Sequence, residues 1–321
     1  MQVKQIGLLT AGGDGPGMNA AIRSVVRCAL AQGFKVKGVL RGYDGLIKGE
    51  VVNLDHRSVA NIINRGGTIL KTARSKEIRT PAGLKKAVAT IRQHELDALI
   101  AIGGDGTYRA ANELFTRFHI PIVGLPGTID NDLVGTDQTV SSNTAINTAI
   151  ESIDKIRDTA HSMERIFVIE VMGNKSGFIA MQVALASGAE DVIIPEQKFN
   201  YAKLYQDMVE GNKKGKLSWM VIAAEGAAKA QDVAKRITQA TGLETRYVVL
   251  GHVQRGGTPV ASDRILATRL GAEAVQLIRK GKFGKAVGVL QNKIHIIDLA
   301  KARRRENLNY KENYKLLKIL T

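Results

Sequence analysis

Short apolar runs closed by glycine or proline alternate with amphipathic stretches along almost the whole chain. QIGLLT, FKVKGVL, DALIAIGG, PIVGLPG, RIFVIEV, DVIIP, WMVIAAEG and RYVVLG read as buried strands, apolar on both faces and closed by glycine or proline. Between them, MNAAIRSVVRCALAQG places Met18, Ile22, Val25, Val26 and Cys28 or Leu30 at three- and four-residue spacings, with a glycine following where a helix ends. Such alternation specifies parallel sheets with crossover helices, the α/β class. Ligands in these sheets bind outside the carboxyl ends of the strands, so the residues just after each strand are the ones to read for function.

At 321 residues and 44% hydrophobic, the chain is long enough for two lobes. We expect two lobes of the α/β class. The tetrapeptide RGGT occurs at Arg65 to Thr68 and again at Arg255 to Thr258, a hint of two similarly built halves. A single cysteine, Cys28, excludes a disulfide framework and fits a reducing compartment. With no secretory leader and no apolar stretch of bilayer length, the chain is expected to be soluble and cytoplasmic, with no membrane partner.

Forty-six basic against thirty acidic residues leave a net charge of +16, which suits phosphorylated metabolites or polyanions. The excess is spread along the chain and dense only in KARRRENLNYKENYKLLK near the end. No zinc spacing, RNP-type aromatic box or basic region with heptads accompanies it, so nucleic acid is not the expected partner.

Four stretches carry chemistry. TAGGDGPGMNAAIR reads as strand, glycine turn and helix start, where outward backbone N–H groups and the helix dipole favour phosphate; a bare tight turn fits the same glycines. IAIGGDGTYRAA repeats the arrangement with Asp105, a hard oxygen ligand suited to Mg²⁺ shared with a polyphosphate, or else a simple helix cap. LPGTIDND sets Asp130 and Asp132 one residue apart after a buried strand, so that alternation on an extended segment would place both on one side. Spacing alone leaves an Asx turn equally open there, beside a base and metal-site pair for phosphoryl transfer with Thr128 as donor. Last, ETRYVVLGHVQRGGTP crowds Arg246, His252 and Arg255 around one strand, and with Arg74 and Arg165 offers forked donors to a phosphate monoester.

With these residues in view the chain resembles the bacterial ATP-dependent 6-phosphofructokinases along essentially its full length. GGDGPGMNAAIR, RGGTILKTAR, IGGDGTY, LPGTIDND, GTDQT, DKIRDTA, VIEVMG, AAEG, ETR and VLGHVQRGGTP stand in that family's order and spacing. The resemblance implies a homotetramer with active sites shared between subunits, moving the γ-phosphoryl of MgATP to the C1 hydroxyl of fructose 6-phosphate and releasing ADP. It implies Asp130 as base, with Thr128 and Asp132 beside it and Asp105 in the metal site. Gly13, Tyr43, Arg74, Gly106 and Thr107 would hold ATP. Thr128, Asp130, Asp132, Met172, Gly173, Glu225, His252 and Arg255 would read the sugar phosphate, joined by Arg165 and Arg246 of a neighbouring subunit. An allosteric effector would meet Arg23, Arg27, Arg157, Glu190, Lys214, Gly215 and Lys216. The resemblance also implies two similar three-layer α/β/α lobes with mostly parallel sheets and the active site in the cleft between them, a larger ATP-binding lobe over 1–140 with about 255–305 and a smaller sugar-binding one over 141–254, with a basic tail over 306–321. Glycine at 106 and 127, where pyrophosphate-using relatives carry an acid and a lysine, points to ATP as donor.

The chain departs from the pattern in places. Asn174, followed by Lys175, stands where an arginine usually helps neutralise the transferring phosphate. VSSNTA replaces a stretch that usually ends in glycine, an aromatic and aspartate before Thr-Ala. Ala110 replaces a glycine, Lys71 precedes Arg74, and His56 and Ser218 stand where an arginine and a histidine are common at the effector site. Another sugar, NAD or lipid kinase is disfavoured by GHVQRGG together with TIDND. A decayed, non-catalytic scaffold is disfavoured by the costly cluster of Asp105, Thr128, Asp130 and Asp132.

Overall fold

The computed structural model describes residues 3–303 and 309–321; Arg304 and Arg305 of the dense basic stretch lie outside them. It divides into two compact units, one of Met1–Thr144 with Arg255–Arg305 and one of Ala145–Gln254 with Glu306–Thr321.

The larger unit is built on a seven-stranded sheet. Its strands are β1 (Gln5–Ala11), β2 (Lys35–Val39), β3 (Val51–Leu54), β4 (Ala98–Gly103), β5 (Ile122–Pro126), β10 (Lys285–Leu290) and β11 (Lys293–Asp298), in the order β11-β10-β5-β4-β1-β2-β3. The five inner strands run parallel, and β3 and β11 close the edges antiparallel. Alternation along β1 explains the apolar runs: Ile6 and Leu8 join one core cluster, Leu9 and Ala11 the other. The first cluster is filled by α1 (Met18–Ala31) and α9 (Ala261–Arg279), the second by α2 (Gly42–Lys48), α3 (Pro81–Gln93) and α4 (Asp105–Phe118), which makes three layers. Helix α1 stops as its sequence requires, at Gly33 with φ of 82°, a conformation that favours glycine.

The smaller unit has a four-stranded parallel sheet in the order β7-β8-β6-β9, from β6 (Ile166–Val171), β7 (Asp191–Ile193), β8 (Trp219–Ala224) and β9 (Thr245–Val249). Helices α7 (Tyr201–Lys213) and α8 (Ala230–Thr241) bury Leu204, Met208, Val233 and Ile237 with Ile166, Val168, Val221 and Ala223. Helix α6 (Phe178–Ser187) also belongs to this unit, and α5 (Ser142–Ser162) begins at the boundary between the units. The terminal basic stretch forms α10 (Lys311–Leu320), an amphipathic helix whose Leu317 is buried against the smaller unit, where α10 packs with α6 and β7.

Three expectations change. The two RGGT segments do not mark equivalent halves: both lie in the larger unit, where a side chain at Gly66 would run into the Gly257 carbonyl. RYVVLG is not buried on both faces, because β9 is an edge strand with Tyr247 and Val249 exposed at 46% and 54%. The edge strands β3 and β11 and the inner strand β10 were not among the expected strands; VVNL and KIHIID interrupt their apolar positions with polar ones, as edges allow. No helix among the described residues is long and apolar enough to cross a membrane.

Candidate functional site

Register brings the motifs of the larger unit together. Ala11 pairs with Gly103 and Gly103 with Pro126, so the carboxyl ends of β1, β4 and β5 lie side by side. The three loops that leave them are the first glycine turn, the second glycine turn and LPGTIDND. Each bonds to a neighbour: the Thr107 hydroxyl donates to the Ala11 carbonyl at 3.0 Å, and the Gly127 N–H donates to the Gly103 carbonyl at 3.0 Å. A Cβ at Gly104 would lie 3.4 Å from that of Thr128.

The first loop, Gly12 to Gly17, enters α1 and is braced from two further segments. Residues 72 to 74 run beside it, with the Thr72 hydroxyl donating to the Gly12 carbonyl at 3.0 Å and the Gly12 N–H reaching Ala73 at 3.4 Å. Arg74 is therefore carried to this loop, with its side chain exposed. Arg255 donates through Nη1 to the Asp14 carbonyl at 3.0 Å, and any side chain at Gly13 would collide with its guanidinium. Asn19 holds the first RGGT by donating to Arg65 and Gly66 at 3.0 and 3.1 Å and accepting from Ile69 at 2.8 Å.

The second loop starts α4. Gly106 is exposed, and a Cβ there would meet open space. Asp105 opens the helix and pairs with Arg109 at 2.9 Å, one turn on. Tyr43 is 3% exposed, and its hydroxyl donates to the Thr107 carbonyl at 2.9 Å; burial pushes that phenol far above its ordinary pKa. Its position under the loop makes it a support for Thr107.

The third loop departs from the expected geometry. Asn131 has φ of 46°, so the segment is not extended and alternation does not place Asp130 and Asp132 on one side. Asp132 is buried, whereas Asp130 is half-exposed. The Thr128 hydroxyl accepts the Asp130 N–H at 3.2 Å, which leaves its own proton available to a ligand. The Thr128 carbonyl is held by the Thr139 hydroxyl at 2.6 Å.

In the smaller unit the carboxyl ends of β8, β6 and β9 again gather candidates. Glu225 accepts through Oε1 from the N–H groups of Gly173 at 3.2 Å and Asn174 at 2.7 Å. Met172 donates its N–H to the buried Gln254 at 2.9 Å, and His252 is exposed in the turn after β9. Asn174 has φ of 55°, which asparagine tolerates well, and its carbonyl lies where a side chain at Gly226 would fall.

Arg165 and Arg246 stand at the other end of this sheet. Arg165 precedes β6, Arg246 pairs with Phe167 in register, and both reach Glu244 Oε1, at 3.3 and 2.5 Å. From there to Met172 is roughly 15–20 Å at ~3.3 Å per residue, so within one chain these arginines cannot join Met172, Glu225 and His252.

The expected effector residues divide likewise. Arg157, Glu190 and Lys216 meet around Met220: Glu190 accepts the Met220 N–H at 2.7 Å and pairs with Lys216 at 3.1 Å, and Arg157 lies 3.8 Å from the Met220 sulfur. Lys214 and Gly215, the latter at φ of 89°, form the turn before Lys216, while exposed His56 belongs to the larger unit. Arg23 and Arg27 share one face of α1 in the larger unit.

Among the described residues no three His, Cys, Asp or Glu side chains form a metal-holding group. Asp105 and Asp132, on adjacent loops, fit a hard cation that takes one or two carboxylates and completes its shell with substrate phosphate and water. Two residues of this region carry no sequence signal of their own. Asp263 is an acid in the first turn of an amphipathic helix, and Ser141 is one serine in a polar stretch; both prove to be buried.

A phosphofructokinase family profile matches residues 5–278. The chain is 46% identical over 331 residues to the ATP-dependent 6-phosphofructokinase of Halothermothrix orenii, covering 99% of this chain and all of that one. It is 48% identical over 319 residues to that of Clostridium tetani, with the same coverage. Among solved structures, phosphofructokinase from Saccharomyces cerevisiae superposes with a TM-score of 0.85 at 36% identity, over 98% of this chain and 46% of the longer yeast chain. The pyrophosphate-dependent phosphofructokinase of Nitrosospira multiformis superposes at 0.85 with 20% identity over 98% of this chain and 88% of that one, a likeness of fold.

Proposed function

This chain belongs to the phosphofructokinase family, and on that premise we propose that it is an ATP-dependent 6-phosphofructokinase. It transfers the γ-phosphoryl group of MgATP to the C1 hydroxyl of fructose 6-phosphate, giving fructose 1,6-bisphosphate and ADP, under allosteric control. The observation that carries this reading is the adjacency of two glycine turns at helix starts with an acid-bearing loop, on three neighbouring parallel strands.

In this reading Asp130, the half-exposed acid, takes the proton of the attacking hydroxyl, and buried Asp132 helps Asp105 hold Mg²⁺ brought in with ATP. Thr128 donates to the moving phosphoryl group. Gly13, Arg74, Gly106 and Thr107 bind the nucleotide, with Tyr43 beneath Thr107. Met172, Gly173, Glu225, His252 and Arg255 serve the sugar phosphate. Open space at Gly106 supports ATP over pyrophosphate, since no side chain competes with a nucleotide there. At Gly127 the reason for glycine is also internal: a Cβ would lie 2.7 Å from Ile102 Cγ2.

Arg165 and Arg246 serve a neighbouring subunit's site. Their distance along the strands from Met172 and Glu225 supports this, as does the exposed apolar edge of β9. We therefore propose an oligomer, a homotetramer as in the family resemblance, acting in the cytoplasm.

The test is a coupled assay with Mg²⁺, fructose 6-phosphate and either ATP or pyrophosphate, run beside Asp130→Ala. Turnover with ATP and a fall of about 10²–10⁴ in the variant are expected. Silence with both donors refutes the activity, and near-native rates in Asp130→Ala refute the base.

A further inference from the structure

Ser141 is fully buried and has φ of 93°, a backbone conformation that favours glycine. It lies in VSSNTA, immediately before α5. A serine held there, with a strained backbone and no exposure to solvent, calls for a compensating interaction. The structure contains one: Ser141 Oγ accepts the Gly17 N–H at 3.0 Å, at the entry to α1. The first glycine turn is moulded around this hydroxyl, because a Cβ at Gly15 would lie 2.5 Å from Oγ and one at Gly17 would lie 3.4 Å from it.

The serine is itself anchored. Its N–H donates to Asp263 Oδ1 at 3.0 Å, and Asp263 is fixed by Thr144 through two further bonds at 2.8 and 2.5 Å. Immediately before it, the Val140 N–H donates to the Pro126 carbonyl at 3.0 Å and the Thr139 hydroxyl to the Thr128 carbonyl at 2.6 Å. Residues 139–141 thus strap the loop that carries Asp130 to the loop that starts α1.

We propose that Ser141 is a positioning residue that holds the Gly12 to Gly17 turn in its phosphate-binding geometry before nucleotide arrives. The proposal rests on assigning that turn to ATP, as above. A glycine at 141 would relax the backbone and leave the turn to be ordered by the ligand, at the expense of affinity.

Ser141→Gly separates strain from function. It removes the hydroxyl and the strain together, so its thermal midpoint should match or exceed the native one. Its KM for ATP should nevertheless rise about five-fold, the worth of one net hydrogen bond, with kcat and the KM for fructose 6-phosphate within about two-fold of native. Amide exchange over residues 12–17, measured without nucleotide, should quicken by about the same factor. Ser141→Ala keeps the strain and loses the bond, so it should share the raised KM at a lower midpoint; if it does not fold, the glycine variant decides alone. Native KM and native exchange in Ser141→Gly overturn the proposal. A native chain silent with ATP overturns the nucleotide assignment instead, and the exchange comparison still tests the strap.

Discussion

The Asp263 carboxylate accepts both the backbone N–H and the hydroxyl of Thr144, at 2.8 and 2.5 Å, across 119 residues of sequence. Burial pushes its pKa up, and the donors from Thr144, Ser141 and Asn143 pull it back. Asp263 thereby caps the first turn of α5 from another helix.

Asp263→Asn should therefore lower stability by about 1.5–3 kcal/mol, because an amide turns an NH₂ toward groups that are themselves donors. Urea denaturation measures this, and a midpoint shift worth less than about 0.5 kcal/mol would exclude a capping role.

Asn174 occupies the place of an expected arginine on a left-handed residue. Asn174→Arg should raise kcat, by as much as roughly 10²-fold if no other group compensates, while costing about 1 kcal/mol of stability through φ strain. An unchanged or lower kcat counts against a missing charge at that position.

Arg246 and Asp130 provide a test of shared sites. Homogeneous Arg246→Ala and Asp130→Ala proteins should each be nearly inactive, Arg246→Ala mainly through a raised KM for fructose 6-phosphate. Mixed after mild dissociation and reassembly, they should recover activity, because some sites combine an intact Arg246 from one chain with an intact Asp130 from another. Mixtures no more active than their components would place both residues in a single chain's site.

Lys318 of α10 pairs with buried Asp191 and donates to the Glu190 carbonyl at 3.1 Å. Burial raises the Asp191 pKa above the ordinary carboxylate value, while Lys318 and the Trp219 indole N–H at 3.4 Å oppose the rise and Asp207 adds to it. The folded pKa stays above the unfolded one, so the ionised acid costs stability, and that cost is relieved as pH falls through the folded value. Lys318→Met removes the main opposing charge. It should lose about 2–3 kcal/mol at pH 7, less than for a fully enclosed pair since Lys318 is partly exposed, and the deficit should shrink towards pH 4. Chemical denaturation at several pH values checks it; a deficit independent of pH would mean that packing, and not charge, holds α10.

Much was legible in local sequence. Eight runs announced eight strands, and β1, β4, β5 and β6 were the plainest of them because they are buried along their whole length and leave few polar positions to disguise them. The two glycine turns and LPGTIDND were legible because each is a cluster of distinctive residue types within a few positions, and register then set them on neighbouring strands. The edge strands β3 and β11 escaped notice because an edge tolerates polar residues.

The sequence by itself determined the α/β class and the motifs, since periodicity and residue chemistry act over a few neighbouring positions. Tertiary structure alone decided which acid is half-exposed and which buried, which end of its sheet Arg246 occupies, and that Ser141 carries a positive φ to reach Gly17. Those outcomes depend on strand register and on contacts between segments more than a hundred residues apart, energies that no local pattern encodes.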